Sequence, residues 1–191
     1  GYGDYTVYEQ RLSQLVASDT LFVRWGSVRD DNIGATVGSD NFGAGQQAGE
    51  HLLSLGRRRI AFLGHADEHY PEFAERYRGL CSALDQAGHR ADPALQADAL
   101  SSEGDGRKAA QALLDSGADF DAVFAASDLI AIGAIQALNA AGKRVPQDIA
   151  VMGFDNIPAA SLTTPPLTTL VQDLKTGGEL LVESLIAQIE D

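Results

Sequence analysis

Apolar and polar positions alternate most clearly between Asp121 and Asp155, where the pattern predicts a strand, a helix and a second strand. Residues 122–126 form a short apolar run, and apolar side chains then recur at helical spacing over residues 129–141. A second apolar run, residues 149–154, ends directly before Asp155. A strand-helix-strand unit of this length implies parallel strands joined by a right-handed crossover.

Two pairs of residues mark the ends of these elements. Ser127 and Asp128 stand at the start of the predicted helix, where both residue types cap the first turn well. Asp128 and Asp155 therefore both follow the carboxyl ends of strands, which is the edge where open parallel sheets bind ligands. For Asp128, a role as a helix cap alone is the alternative.

The remaining chain continues the alternation of strands and helices. Helices are predicted over residues 5–16, 42–55, 74–87, 106–116 and 175–189, and strands over residues 21–25, 35–37, 59–63 and 167–171, with a short strand near 95–100. This order indicates an α/β fold with a mostly parallel sheet. The single clear strand before residue 30 cannot form a stable sheet by itself, so the first part of the fold is expected to be incomplete.

The charge balance argues against nucleic-acid binding by these residues alone. The sequence has 191 residues and a formal net charge of −13. DNA binding rests on cationic neutralisation of phosphates, which this acidic chain cannot supply. The basic run Arg57–Arg59 lies between a predicted helix end and a strand, where cations suit the helix dipole, and is interpreted as structural.

Other function classes lack their signatures. No apolar run reaches a membrane-spanning length, and the first residues do not resemble a secretory signal. Cys81 is the only cysteine, which fits a reducing, cytoplasmic compartment. The sequence contains no phosphate-binding loop, no nucleophile elbow and no cluster with metal-ligand spacing, so we expect no enzyme, no cofactor and no metal. The enzyme alternative is glycoside hydrolysis with Asp128 and Asp155 as the pair of acids. That reaction would depend on the distance between their two carboxyl groups.

Four stretches, in this order and spacing, resemble the effector-binding core of LacI/GalR-type transcriptional regulators. They are residues 37–64 (VGSDNFGAGQQAGEHLLSLGRRRIAFLG), 75–88 (ERYRGLCSALDQAG), 120–160 (FDAVFAASDLIAIGAIQALNAAGKRVPQDIAVMGFDNIPAA) and 165–173 (PPLTTLVQD). This core shares its fold with periplasmic sugar-binding proteins. The GFDN stretch followed by PPLTT favours the regulators, and a periplasmic sugar-binding protein of a transport system is the alternative.

The resemblance implies a periplasmic-binding-protein-like fold of type I, with two lobes that each contain a mostly parallel sheet flanked by helices. Residues 1–40 and 170–191 would belong to an incomplete N-terminal lobe and residues 41–169 to the C-terminal lobe. A small effector, such as a sugar or glycoside, would bind between the lobes. A DNA-binding headpiece, which we expect to lie outside these 191 residues, would read operator DNA as part of a homodimer.

The resemblance also assigns candidate effector-binding residues. The effector-contacting arginine of the family falls at Arg76, whose guanidinium offers a planar fork of donors; pairing with Glu72 or Glu75 is the alternative. Asp155 matches the family aspartate that accepts hydrogen bonds from effector hydroxyls. Ser127 and Asp128 match a polar pair near the pocket.

Four further residues are candidates for the same pocket, Asp40 through the resemblance and Trp25 through its chemistry. Asp40 matches an effector or hinge position at the first crossover between the lobes, with a turn aspartate as the alternative. Trp25 follows an apolar strand, and its indole is suited to stacking on a sugar ring, although tryptophans are also common in protein cores. Phe73 and Ser101 are weaker candidates at the rim of the same pocket.

Overall fold

The structure is a computed structural model that describes residues 5–190, with side chains from Tyr8 onward. Helices are formed by α1 (Tyr5–Ala17), α2 (Asn41–Ser54), α3 (Pro71–Gln86), α4 (Glu103–Asp115), α5 (Asp128–Ala140) and α6 (Leu174–Glu190). Strands are formed by β1 (Val23–Trp25), β2 (Ala35–Val37), β3 (Ile60–Leu63), β4 (Gln96–Ala97), β5 (Ala122–Ala125), β6 (Ala150–Asp155) and β7 (Thr168–Val171). Short 3₁₀ turns, Pro93–Leu95 and Pro158–Leu162, precede β4 and follow β6.

A larger parallel sheet holds most of the core. Its strand order is β4-β3-β5-β6-β7, with Ile60 opposite Ala122 and Ala122 opposite Ala150. Every residue of β3 and β5 is buried, which is the pattern of strands covered on both faces. Helix α2 packs on α3 and α4 packs on α5. The predicted α/β fold with parallel sheets flanked by helices is confirmed.

A smaller parallel sheet precedes the larger one. It consists of β1 and β2, with Trp25 opposite Val37, and α6 packs on both strands. The chain therefore passes from the smaller sheet to the larger one between β2 and α2, and returns between β7 and α6. The predicted lobe boundary between residues 169 and 170 falls within β7, whose residues pair with β6 as far as Val171.

Two predicted helix starts were wrong by three residues. Helix α3 begins at Pro71 rather than at Ala74, because proline fits the first turn, where its missing N–H costs nothing. Helix α4 begins at Glu103 rather than at Gly106, because the Ser102 side chain accepts a hydrogen bond from the N–H of Asp105 at 3.1 Å and caps the helix.

The basic run Arg57–Arg59 is bound within the chain. Arg57 donates to the carbonyl of Pro146 at 2.7 Å, and Arg58 donates to the carbonyl of Leu53 at 2.8 Å. Arg59 pairs with Asp119. These contacts agree with the structural interpretation of this run.

Close packing of α4 on α5 depends on the absence of a side chain at Gly106. A Cβ at this buried position would overlap the carbonyl oxygen and Cα of Ile130 in α5. Gly104, two residues earlier in the same helix, has only the Ser102 hydroxyl nearby, at 3.8 Å from such a Cβ.

We expect the Gly106→Ala substitution to lower the free energy of unfolding by about 1–3 kcal/mol, because the two helices must move apart. The Gly104→Ala control should be neutral or stabilising by up to about 1 kcal/mol, because alanine favours helix without a clash. Urea unfolding of both variants measures the difference, and equal stability of the two variants would contradict this packing.

Candidate functional site

A cavity of about 370 Å³ lies between the two sheets, where several strands end. Its walls come from the ends of β1 and β6 and from the two connections between the sheets. The lining residues are Trp25, Gly26, Ser39, Asn41, Glu72, Asp155, Asn156, Ile157, Pro158, Gln172 and Leu174. The position matches the general rule that open parallel sheets bind ligands at the carboxyl ends of their strands, and the volume suits a small molecule.

The two connections between the sheets are joined to each other at this cavity. The Gln172 side chain donates to the hydroxyl of Ser39 at 3.2 Å. Both residues line the cavity. A change in the angle between the sheets would therefore alter this hydrogen bond and the cavity together.

A second contact bridges the sheets at Glu72, in the first turn of α3. Its Oε1 atom accepts the backbone N–H of Ser27, which follows β1, at 3.0 Å. The carbonyl of Ser27 accepts from the Asn32 side chain at 2.8 Å. The Glu72 carboxylate is thus held at the cavity by the segment that follows β1.

Trp25 forms an aromatic wall of the cavity. Its indole packs against Gly177 of α6, where a Cβ would overlap the ring. The side chain is half-buried and also lines the cavity. Helix α6 therefore covers one part of the Trp25 side chain, and another part faces the cavity.

Asp155 and Asn156 form a turn with an unusual backbone at the end of β6. Their φ angles are 113° and 54°, in the left-handed region that non-glycine residues adopt rarely. Such strain persists only where neighbouring groups hold it, and it occurs often at functional sites. The turn presents Asp155 and Asn156 at the cavity.

The buried carboxylate of Asp128 stabilises this turn without lining the cavity. It accepts the N–H of Ile157 at 2.8 Å and the hydroxyl of Thr169 at 2.5 Å. Burial raises the pKa of Asp128, and these two hydrogen bonds oppose the shift. Ser127 is also buried, and its hydroxyl accepts the N–H of Ile130 at 3.4 Å as the cap of α5. Neither residue lines the cavity, so Asp128 and Asp155 do not face each other across it as a pair of acids.

Arg76 lies behind the wall that contains Asn41. Its side chain is fully buried and donates to the Asn41 side chain at 2.9 Å and to the carbonyl of Ala126. The guanidinium carbon lies 3.5 Å from the ring centre of Phe154 and 5.6 Å from that of Phe73. Arg76 and Phe73 are therefore placed next to the site, and neither lines the cavity.

Two other candidates lie outside the cavity. Asp40 caps α2 by accepting the N–H of Gly43 at 2.8 Å, and it borders a separate cavity of about 550 Å³ with Glu75 and Arg78. Ser101 precedes the cap of α4, and its buried hydroxyl has no hydrogen-bond partner among the described residues. Of the candidates proposed from the sequence, the structure places Trp25 and Asp155 on the cavity wall.

Several lining residues were missed in the sequence. Glu72 was considered only as a partner of Arg76, and Ser39, Asn41 and Gln172 were not singled out. Asn41 and Ser39 flank Asp40 at the predicted crossover, so their position could have suggested them. Glu72 had no comparable signal, because it lies in the first turn of a helix that was predicted to start later. Gln172 had none, because it meets Ser39 only through the tertiary structure.

The described residues contain neither a metal-binding cluster nor a membrane-spanning helix. In the part of the chain that the structure covers, no three His, Cys, Asp or Glu side chains are grouped so as to hold a metal ion. None of the helices that these residues form is long and apolar enough to cross a lipid bilayer.

Comparison with known proteins establishes the family. Residues 50–191 match the model of the periplasmic binding protein-like domain. The chain belongs to this family, as an effector-binding core of the LacI/GalR type.

Individual relatives are transcriptional regulators. The chain is 37% identical over 153 residues to the HTH-type transcriptional regulator CelR of Thermobifida fusca. That alignment covers 80% of this chain and 45% of the relative. It is also 33% identical over 186 residues to the ribose operon repressor of Halalkalibacterium halodurans, in an alignment that covers 97% of this chain and 53% of that relative. The chain thus spans about half the length of these relatives.

A solved structure extends the comparison to a ligand complex. The structure of the transcriptional regulator CelR in complex with cellobiose aligns with a TM-score of 0.86 and 34% identity. The alignment covers 92% of this chain and 54% of the other. This level of identity relates the two chains by sequence as well as by fold.

The pKa of Asp128 leads to a dependence of stability on pH. Because burial raises this pKa, the folded protein holds the proton more tightly than the unfolded chain, whose aspartate pKa is about 3.9. The resulting stabilisation is present below the unfolded-state pKa and is lost as the pH rises through the folded-state pKa. The Asp128→Asn variant cannot ionise and keeps an acceptor for the N–H of Ile157.

We therefore expect the free energy of unfolding of the unmodified protein, minus that of Asp128→Asn, to decrease as the pH rises above about 4. Urea unfolding at several pH values measures it. Asp148 serves as a control of opposite sign, because hydrogen bonds from Arg144 lower its pKa. The corresponding difference for Asp148→Asn should rise with pH below about pH 4 and stay nearly constant above it, because its lowered pKa confines the change to acidic pH. A difference for Asp128→Asn that stays constant above about pH 4 would refute the burial argument.

Proposed function

We propose that this chain is the ligand-sensing core of a transcriptional regulator and that it binds a sugar or glycoside in the cavity between its two sheets. The observation that carries the proposal is the combination of groups on the cavity wall. Trp25 offers an aromatic face, Asp155 and Glu72 offer carboxylates, and Asn41 and Gln172 offer amides. The effector is bound without chemical change, so the proposed protein is not an enzyme.

This set of groups suits a polyhydroxylated ligand. A sugar ring has an apolar face that an indole can cover, and its rim carries hydroxyls. Carboxylates accept hydrogen bonds from hydroxyls, whereas amide side chains both donate and accept. We propose that Trp25 stacks on the ring and that Asp155 accepts from the effector hydroxyls. The arrangement of lining groups around a small volume supports this assignment.

The relatives support a sugar and a regulator. CelR has been solved with cellobiose, and another relative is named as a ribose operon repressor. These similarities favour the regulator over the alternative of a periplasmic sugar-binding protein in a transport system. By analogy we propose that a DNA-binding headpiece reads an operator, that two copies form a dimer and that the protein acts in the cytoplasm.

Signal transmission would use the contacts that bridge the sheets. In this proposal the N-terminal lobe consists of residues 1–40 and 170–191, and the C-terminal lobe consists of residues 41–169. An effector that prefers one lobe arrangement would shift the population towards it. The Ser39–Gln172 hydrogen bond joins the two connections between the sheets, and the Ser27–Glu72 hydrogen bond joins the two lobes. Such a shift would change the geometry of both bonds.

The other candidate residues have supporting roles in this proposal. Asp128 and Ser127 hold the Asp155 turn and the start of α5. Arg76 holds Asn41 at the wall, and its direct contact with the effector remains a prediction. Asp40, Phe73 and Ser101 are proposed to shape the surrounding structure.

Ligand binding in the cavity can be tested with substitutions at Asp155 and in α6, the helix that packs on Trp25. Isothermal titration calorimetry with cellobiose, other glycosides and ribose identifies a ligand for the unmodified chain. We then expect Asp155→Ala to weaken binding at least about tenfold, which corresponds to roughly 1.4 kcal/mol. Gly177→Ala should also weaken it, because the added Cβ displaces the indole of Trp25.

Gly178→Ala is the matched control for Gly177→Ala. The two glycines are neighbours in α6, and a Cβ at Gly178 would meet nothing within 4 Å. Binding by Gly178→Ala should equal that of the unmodified chain. Full affinity in both Asp155→Ala and Gly177→Ala would place the ligand outside this cavity.

A further inference from the structure

We infer that the cavity selects uncharged ligands and rejects those that carry a phosphate or carboxylate group. The inference rests on the proposed function, because it specifies which class of sugar derivative the proposed site accepts. It arises from the charges on the cavity wall.

The charged residues on the described part of the wall are both acidic. Glu72 and Asp155 line the cavity, and the other lining residues within residues 8–190 have amide, hydroxyl, indole or apolar side chains or are glycines. Recognition of a phosphate or carboxylate depends on cations or on several convergent N–H donors. The described wall contributes no lysine, arginine or histidine for this purpose.

Arg76 does not reverse this balance. Its guanidinium is fully buried, donates to Asn41 and the carbonyl of Ala126, and lies over the ring of Phe154. Even when the positive charge of Arg76 is set against the negative charge of Asp155, the negative charge of Glu72 remains. The local charge that a ligand meets is therefore negative.

Glu72 is held in a position where it stays at the cavity. Its Oε1 atom accepts the Ser27 N–H at 3.0 Å, and the residue lies in the first turn of α3, where the helix dipole favours a negative charge. The carboxylate cannot easily turn away, because it would lose this hydrogen bond. A bound anion would therefore remain close to a fixed negative group.

The expected discrimination follows from simple electrostatics. Two like charges about 6 Å apart in a partly buried site repel each other enough to weaken binding by roughly ten- to a hundredfold. The net charge of −13 adds a long-range field that also repels anions. Neutral sugars do not meet this repulsion.

The test compares neutral sugars with their anionic counterparts by calorimetry on the chain. The neutral probes are cellobiose, glucose and ribose, and each is paired with its anionic counterpart: cellobiose 6-phosphate, glucose 6-phosphate and ribose 5-phosphate. We expect at least one neutral sugar to bind and its anionic counterpart to bind at least about tenfold more weakly. Equal or tighter binding of the anion would overturn the inference and leave the proposed sugar site intact. If neither the neutral nor the anionic sugars bind, the proposed site is overturned together with the inference.

Glu72→Gln identifies the source of the discrimination. This substitution keeps the shape and the acceptor for Ser27 but removes the charge, so the affinity ratio of neutral to anionic ligand should fall towards one. Glu75→Gln removes one charge from the same helix, next to a different cavity, and should leave the ratio unchanged. Thermal unfolding of both variants checks their folding. An unchanged ratio in Glu72→Gln, or an equal change in both variants, would contradict the role of Glu72.

Discussion

The buried carboxylate of Asp128 holds together the parts of the fold that form the cavity. It joins the start of α5 to the turn after β6, through the N–H of Ile157, and to β7, through the hydroxyl of Thr169. The turn it supports contains Asp155 and Asn156, whose left-handed backbone would not persist without such support. The chain leaves the larger sheet directly after β7. One buried acid thus positions both a wall of the cavity and the return connection between the sheets.

Much of the fold could be predicted from the sequence, because its central strands β3, β5 and β6 are almost entirely buried and read as apolar runs. The β5-α5-β6 unit illustrates this, with uninterrupted apolar strands and Ser127 as a cap. The start of α3 was missed because Pro71 and Glu72 follow a polar stretch that resembles a loop. Because the start of α3 was placed three residues too late, Glu72 was not predicted to lie at the cavity.

The candidate site was less predictable than the fold, because its members meet only through tertiary structure. Asp155 and Trp25 follow apolar strands, and their position at strand ends indicated a ligand site. Gln172 meets Ser39 across 133 residues of sequence, which no local pattern encodes. The family resemblance predicts that Arg76 contacts the effector, whereas its depth behind Asn41 depends on the packing of α3 against the larger sheet, which no local pattern encodes.

Fluorescence of Trp25 tests the central claim most directly, because this is the only tryptophan of the chain and it lies on the cavity wall. A sugar that binds by calorimetry should change the tryptophan emission in a saturable way. The dissociation constant from this change should equal the calorimetric one. Saturable binding heat without any change in emission would place the ligand away from Trp25 and would contradict a site between the two sheets.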